Sequence, residues 1–133
     1  MRKVFLGLVA FSIAAMAQTQ IKKVPTRWTN PTSGPEMYRA YCASCHGQDG
    51  KGNGPAAPAL KTPPADLTRL ARQNNAKFPA DRVLYMVRHV EVSAHGSTEM
   101  PVWGTIFREM DTGAQADMRA FNLTKYVESI QEK

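Results

Sequence analysis

The segment Cys42-Ala43-Ser44-Cys45-His46 constrains this chain more than any other, because it places two thiols and an imidazole within five consecutive residues. A C-x-x-C pair followed directly by His is the attachment pattern of a c-type haem. Two intervening residues set the sulfurs at the separation of the two ring vinyl groups, and His46 is carried beneath the iron as a proximal ligand. A thioredoxin-like redox pair and half of a zinc site also use C-x-x-C. Neither accounts for the histidine: zinc would need further ligands such as His89 or His95, and no βαβ pattern surrounds the cysteines. Cys42 and Cys45 are the only two cysteines in the sequence, so haem attachment leaves none for a disulfide.

The chain opens Met1-Arg2-Lys3, runs apolar from Val4 to Ala17 past the small-residue pattern Ala15-Met16-Ala17, and turns polar at Gln18. That order predicts a secretory signal peptide over residues 1–17. The apolar run falls short of the roughly 20 residues that span a bilayer, so cleavage is expected, with no transmembrane span afterwards and a periplasmic destination. Without Arg2 and Lys3 the formal charge falls from +6 to +4. The basic residues are spread along the sequence rather than gathered in tracts, which argues against nucleic acid as a partner. Side chains alone would give so small a domain a thin core, and a haem supplies a large apolar slab to bury.

Residues 18–33 are polar and punctuated by Pro25 and Asn30-Pro31, and are expected to form an extended N-terminal arm that Trp28 docks onto the domain. Residues 34–133 then form the haem-bearing domain. Gly34-Pro35-Glu36 marks a helix start, and Met37, Tyr38 and Tyr41 recur at helical spacing up to the haem motif. The Gly/Pro density from Gly47 to Pro64 forbids regular structure and predicts a loop wrapped around the His46 side of the ring. Asp66 is an N-cap for a short helix through Leu67, Leu70 and Ala71, which Asn74-Asn75 ends. From Asp81 to Val90, Val83, Leu84, Val87 and Val90 make an apolar stripe. Met110-Asp111-Thr112-Gly113 precedes a last helix with Phe121, Leu123, Tyr126, Val127 and Ile130 on one flank. No alternating strand pattern occurs, so the fold class is all-α with long loops.

Candidates for a second iron ligand are Met37, Met86, Met100, Met110, Met118, His89 and His95. Met37 precedes the attachment site by about one helical turn, too near to reach the opposite face. Met86 and Met118 stand where a core methionine is the default. Met100 lies in Thr98-Glu99-Met100-Pro101, where proline holds its predecessor extended, so its sulfur can project without breaking a helical ladder. His95, mounted beside Gly96, is a rival. Trp103 reads as a packing wall against the haem, and Glu99 as a solvated carboxylate; no catalytic acid, base or nucleophile constellation is discernible.

Taken together, C-A-S-C-H-G, the later M-P-V-W-G and the closing amphipathic helix resemble a class I monohaem cytochrome c of the bacterial secreted type, from Gly34 to Ile130. The resemblance implies a small cytochrome c-like helical domain holding one haem c and its iron, with Met100 the axial ligand opposite His46. It also implies that a proline carbonyl in a P-x-L segment, here Pro58-Ala59-Leu60, accepts the Nδ1 proton of His46. Leu123, Tyr126 and Val127 match the last helix, which packs across the first. A six-coordinate iron has no open position for a small-molecule substrate, so the expected function is one-electron transfer between membrane or periplasmic redox proteins, not enzymatic turnover. Two alternatives stand beside it. One is a haem c subunit fixed within a larger respiratory or dehydrogenase complex and tethered by the arm; the other is an enzyme or small-ligand sensor in which Met100 is not bound.

Overall fold

The computed structural model describes residues 26–89 and 100–133. The expected signal peptide, the first part of the arm and residues 90–99, which include His95, Glu99 and the end of the Val83–Val90 stripe, lie outside the described residues. Among the described residues there are five α-helices and no strand: α1 (Gly34–Tyr41), α2 (Ala43–His46), α3 (Ala80–Arg88), α4 (Trp103–Met110) and α5 (Gly113–Ser129). Three 3-10 turns, at Ala57–Ala59, Leu67–Arg69 and Arg72–Asn74, punctuate the long connection between α2 and α3. The chain is all-α, as its patterning predicts.

Helix α1 starts where expected, with the Ser33 hydroxyl accepting from the Glu36 amide at 3.4 Å and Pro35 in the first turn. Gly34, Met37, Tyr38 and Tyr41 form its buried face, spaced i, i+3, i+4 and i+7. Opposite them α5 buries Ala116, Ala120, Leu123 and Val127. The two helices approach most closely at Gly34, where a Cβ would lie 2.5 Å from the Asn122 carbonyl oxygen and 2.8 Å from Tyr126 Cβ. Only the absence of a side chain permits that separation.

Four expectations need correction. Helix α4 was not anticipated, because Met100-Pro101 draws the reading toward extended chain. Pro101 in fact precedes the helix, where it costs nothing, and Trp103, Ile106, Phe107 and Met110 then follow at i, i+3, i+4 and i+7. Phe121, expected on the buried flank of the last helix, is 54% exposed: it stands about 200° around the helix from Leu123, so the two cannot share a face. Met118, expected in the core, is 42% exposed for the same reason. Asp66 does act as a cap, accepting from the Thr68 amide at 2.9 Å and from its hydroxyl at 2.6 Å, but it opens a 3-10 turn rather than a helix. Asn75, at φ 53, ends the second such turn.

Residues 27–31 are bound into the body through one buried arginine. Arg119 of α5 is fully buried, pairs through Nε with the Asp111 carboxylate, and donates from Nη1 to the Thr29 hydroxyl at 2.8 Å. Tyr41 gives its single phenolic proton to the Arg27 carbonyl at 2.7 Å, so the Thr29 hydroxyl donates to the Tyr41 oxygen, also at 2.7 Å. The guanidinium lies 5.6 Å from the Trp28 ring centroid and 6.0 Å from that of Phe107. Trp28 thus docks by one face and leaves the other in solvent.

The glycine-rich loop has a definite backbone task. A one-turn helix cannot satisfy its own last carbonyls. Gly52, Gly54 and Ala56 donate their amides to the carbonyls of His46, Cys45 and Ser44 at 2.8, 3.0 and 2.8 Å, so the loop runs back along α2. A Cβ on Gly54 would meet the Ser44 and Ala43 carbonyl oxygens at 2.4 and 2.6 Å. The returning chain is fixed by Leu67 N to Gly50 O at 2.7 Å and by Glu132 N to Thr68 O at 2.7 Å.

Three outcomes follow for stability, each measured by urea unfolding. Arg119→Ala leaves the buried Asp111 charge unpaired and is expected to cost about 3–5 kcal/mol, of which adding Asp111→Asn recovers a substantial part. Gly54→Ala is expected to cost about 1–3 kcal/mol by forcing the loop off α2. Gly113→Ala, with nothing within 4 Å of the added carbon, should change stability by less than about 1 kcal/mol.

Candidate haem site

Helices α1 and α2 are joined through Cys42. Its amide donates to the Tyr38 carbonyl at 2.9 Å, and its own carbonyl accepts from the amides of Cys45 at 3.1 Å and His46 at 2.9 Å. Cys42 and Cys45 are therefore three residues apart on one continuous turn, on neighbouring positions of the same face. They are not bonded to each other. Burial, and after it the proximity of Cys45, pushes the Cys42 thiol up to about 12. A reactive redox dithiol needs the opposite shift. Tyr38 anchors the far end of the turn by donating its phenolic proton to the Gly47 carbonyl at 2.9 Å; its own pKa is raised, chiefly by burial.

The His46 Nδ1 atom lies 3.0 Å from the Ala65 carbonyl oxygen. A carbonyl only accepts, so Nδ1 carries the proton and Nε2 keeps the lone pair a metal needs. Burial lowers the imidazole pKa, with the Ala65 hydrogen bond working the other way, which favours the neutral ring. The residue expected to accept this proton, Pro58, does not. Ala57–Ala59 coils into a 3-10 turn beside the start of α2, where Ala56 is bonded to Ser44, one turn away from the His46 end. The chain comes back to His46 only after Pro63-Pro64. There the Pro64 carbonyl oxygen would be 2.3 Å from a Cβ on Gly52, whose amide is bonded to the His46 carbonyl. Gly52, at φ 79, is thus what lets Ala65 reach the ring.

Several apolar side chains at the edge of the core are incompletely covered. Cys42, Leu67, Leu70, Val83, Val87 and Met100 pack against the core yet remain half-buried. Helix α3 has a clear apolar face but no fully buried residue. Apolar side chains left at a surface by several elements mark a binding site. Two thiols, an imidazole with Nε2 free, a thioether and this apolar surface fit an iron porphyrin. Zinc fits less well: among the described residues no group of three or more His, Cys, Asp or Glu side chains is placed to hold a metal ion.

Of the remaining candidates, Met86 lies half-buried on α3. Met37 is fully buried inside α1, Met110 packs on the core, and Met118 is exposed. His89 caps α3, its Nδ1 donating to the Tyr85 carbonyl at 3.1 Å and its ring stacked on Tyr85 at 4.6 Å. Trp103 is buried and lies 5.1 Å from the Tyr41 ring, one residue from Cys42. No helix among the described residues is long and apolar enough to cross a membrane.

A family model described as cytochrome c oxidase, cbb3-type, subunit III matches residues 29–116. No curated protein and no solved structure matches the chain. The matched stretch begins at the Thr29 anchor and takes in the Cys42–His46 turn, Ala65, Met100 and all of α4. With well over half its length covered, the chain belongs to the cytochrome c oxidase, cbb3-type, subunit III family, a c-type cytochrome domain that serves haem-based electron transfer.

Proposed function

We propose that this protein is a one-electron carrier of the periplasm, delivered there by cleavage of residues 1–17, with haem c joined through thioethers to Cys42 and Cys45. When bound, the haem supplies an iron that changes charge by a single electron. His46, through Nε2, and Met100, through its sulfur, are the residues that would hold that iron. The observation that carries this reading is the His46 Nδ1 bond to the Ala65 carbonyl, which fixes the tautomer and leaves the lone pair on Nε2. The half-buried apolar side chains of α3 and the Leu67–Leu70 segment would exclude water from a bound haem and keep reorganisation small when the charge changes. A closed coordination shell leaves no place for a substrate, so the protein is a carrier rather than an enzyme, and its partners are a redox donor and a redox acceptor.

The family description favours a second reading, in which the same domain is a haem subunit fixed within a terminal oxidase complex. Size-exclusion of native membrane extracts separates the two: a free carrier elutes at its monomer mass, a subunit with the complex.

Three measurements test the ligand set. Met100→Ala should abolish the far-red sulfur-to-iron absorption of the oxidised protein and lower its potential by on the order of 0.1 V, a fraction of the range axial ligation commands. If Met100→Ala keeps that absorption, the sulfur comes from another methionine, such as Met86; if the wild type already lacks it, the ligand is a nitrogen donor such as His95. Cys42→Ala should leave a single thioether by mass analysis of the denatured chain. Rapid binding of carbon monoxide or cyanide by the native protein would show an open iron and overturn the carrier reading in favour of an enzyme or sensor.

A further inference from the structure

The last turn of α3 and the first turn of α4 meet at one point. Gly104 is buried there, and an ideal Cβ on it would lie 2.0 Å from the Arg88 carbonyl oxygen, 2.7 Å from the Arg88 carbonyl carbon and 2.8 Å from its Cα. The demand is for space alone, since Gly104 is not among the positive-φ glycines. Arg88 is the final residue of α3, and its guanidinium reaches Asp117 of α5 at 3.0 Å, so the backbone against which Gly104 rests is itself tethered. Met100 stands four residues before Gly104, is packed against the core, and is joined to α4 through Pro101 and Val102. Proline fixes its own φ and restricts the residue before it, so this link is stiff.

We infer that Gly104 is a positioning residue for Met100: the side-chain-free contact between α4 and the Arg88 backbone sets where the Met100 sulfur stands. This rests on the reading of Met100 as an axial ligand. Any side chain at 104 must open the joint by about 1.4 Å, the difference between 2.0 Å and the 3.4 Å at which ordinary contact begins. The atoms against Gly104 are backbone atoms of Arg88, so no turn of a flexible side chain relieves the contact. The displacement passes to α4 and through Pro101 to Met100, and a liganding group tolerates only about 0.5 Å of misplacement.

The test uses the mature haem protein and two variants: Gly104→Ala, and Gly113→Ala as a glycine with open space. The readouts are far-red absorption, reduction potential and cyanide binding, taken where far-UV dichroism shows the helices intact. Gly104→Ala is expected to lose the far-red absorption, fall in potential and gain cyanide binding while keeping its haem. Gly113→Ala is expected to retain the wild-type spectrum. Full far-red absorption and an unchanged potential in Gly104→Ala overturn the inference alone. Absence of that absorption in the wild type overturns it together with the Met100 ligation. If Gly104→Ala fails to mature, Asp117→Asn frees the Arg88 tether without filling space. The far-red absorption should then fade at a lower temperature than helix melting, and coincident transitions like those of the wild type would reject the inference.

Discussion

The carbonyl groups at the end of α2 impose the constraint on which the haem site depends. A helix of one turn has no successors to bond Ser44, Cys45 and His46, and buried carbonyls left unpaired are costly. The chain meets the demand by running Gly52, Gly54 and Ala56 back along the turn, each amide serving one carbonyl. That course explains the glycines one by one. Gly54 must admit two carbonyl oxygens, and Gly52 must admit the Pro64 carbonyl while holding a positive φ. Once Pro64 is seated on Gly52, the next carbonyl, that of Ala65, falls beside the His46 ring and selects its tautomer. Loop sequence, helix termination and metal-ligand chemistry are thereby one connected arrangement.

The hydrophobic core supports this arrangement without closing around it. Met37, Tyr38, Phe107 and Leu123 are fully or nearly fully buried where α1, α4 and α5 meet, whereas the apolar faces of α3 and of Leu67 and Leu70 are only half covered. At about 25 cal/mol per Å² of apolar surface removed from water, covering these faces with a porphyrin adds stability where side chains alone supply little. The buried Arg119–Asp111 pair adds little net stability when its desolvation is counted. What it contributes is specificity. Its geometry requires Thr29, Tyr41 and the Arg27 carbonyl to sit in one register, which fixes the N-terminal segment against α1 just before the cysteines.

Much of this was legible in the sequence wherever local chemistry decides the outcome. The C-x-x-C-H turn, the proline-led start of α1, the Asp66 cap and the break at Asp111–Thr112 each depend on residues within one turn of each other. What was not legible depends on pieces of chain distant in sequence. Pro58 and Ala65 are both plausible acceptors for His46 by spacing, and the choice is made by the contact of Pro64 with Gly52. Helix α4 was hidden by the proline beside Met100, although its apolar spacing is regular. Arg119 carried no signal, because arginine is ordinarily a surface residue and nothing nearby announces the pocket formed by Trp28, Thr29 and Asp111.

Helix α5 is the common reference for both halves of the site. It holds α1 through the close approach at Gly34, and with α1 the turn that carries His46. It holds α3 through Arg88 and Asp117, and the C-terminal end of α4 through Arg119 and Asp111, and with α4 the segment that carries Met100. His46 and Met100 lie far apart in sequence, so a loop connecting them directly would let their separation drift. Referring each to the same rigid helix removes that freedom. If His46 and Met100 hold the iron as proposed, an electron carrier would benefit from this, because each change of iron charge would cost reorganisation in proportion to how far those side chains can move.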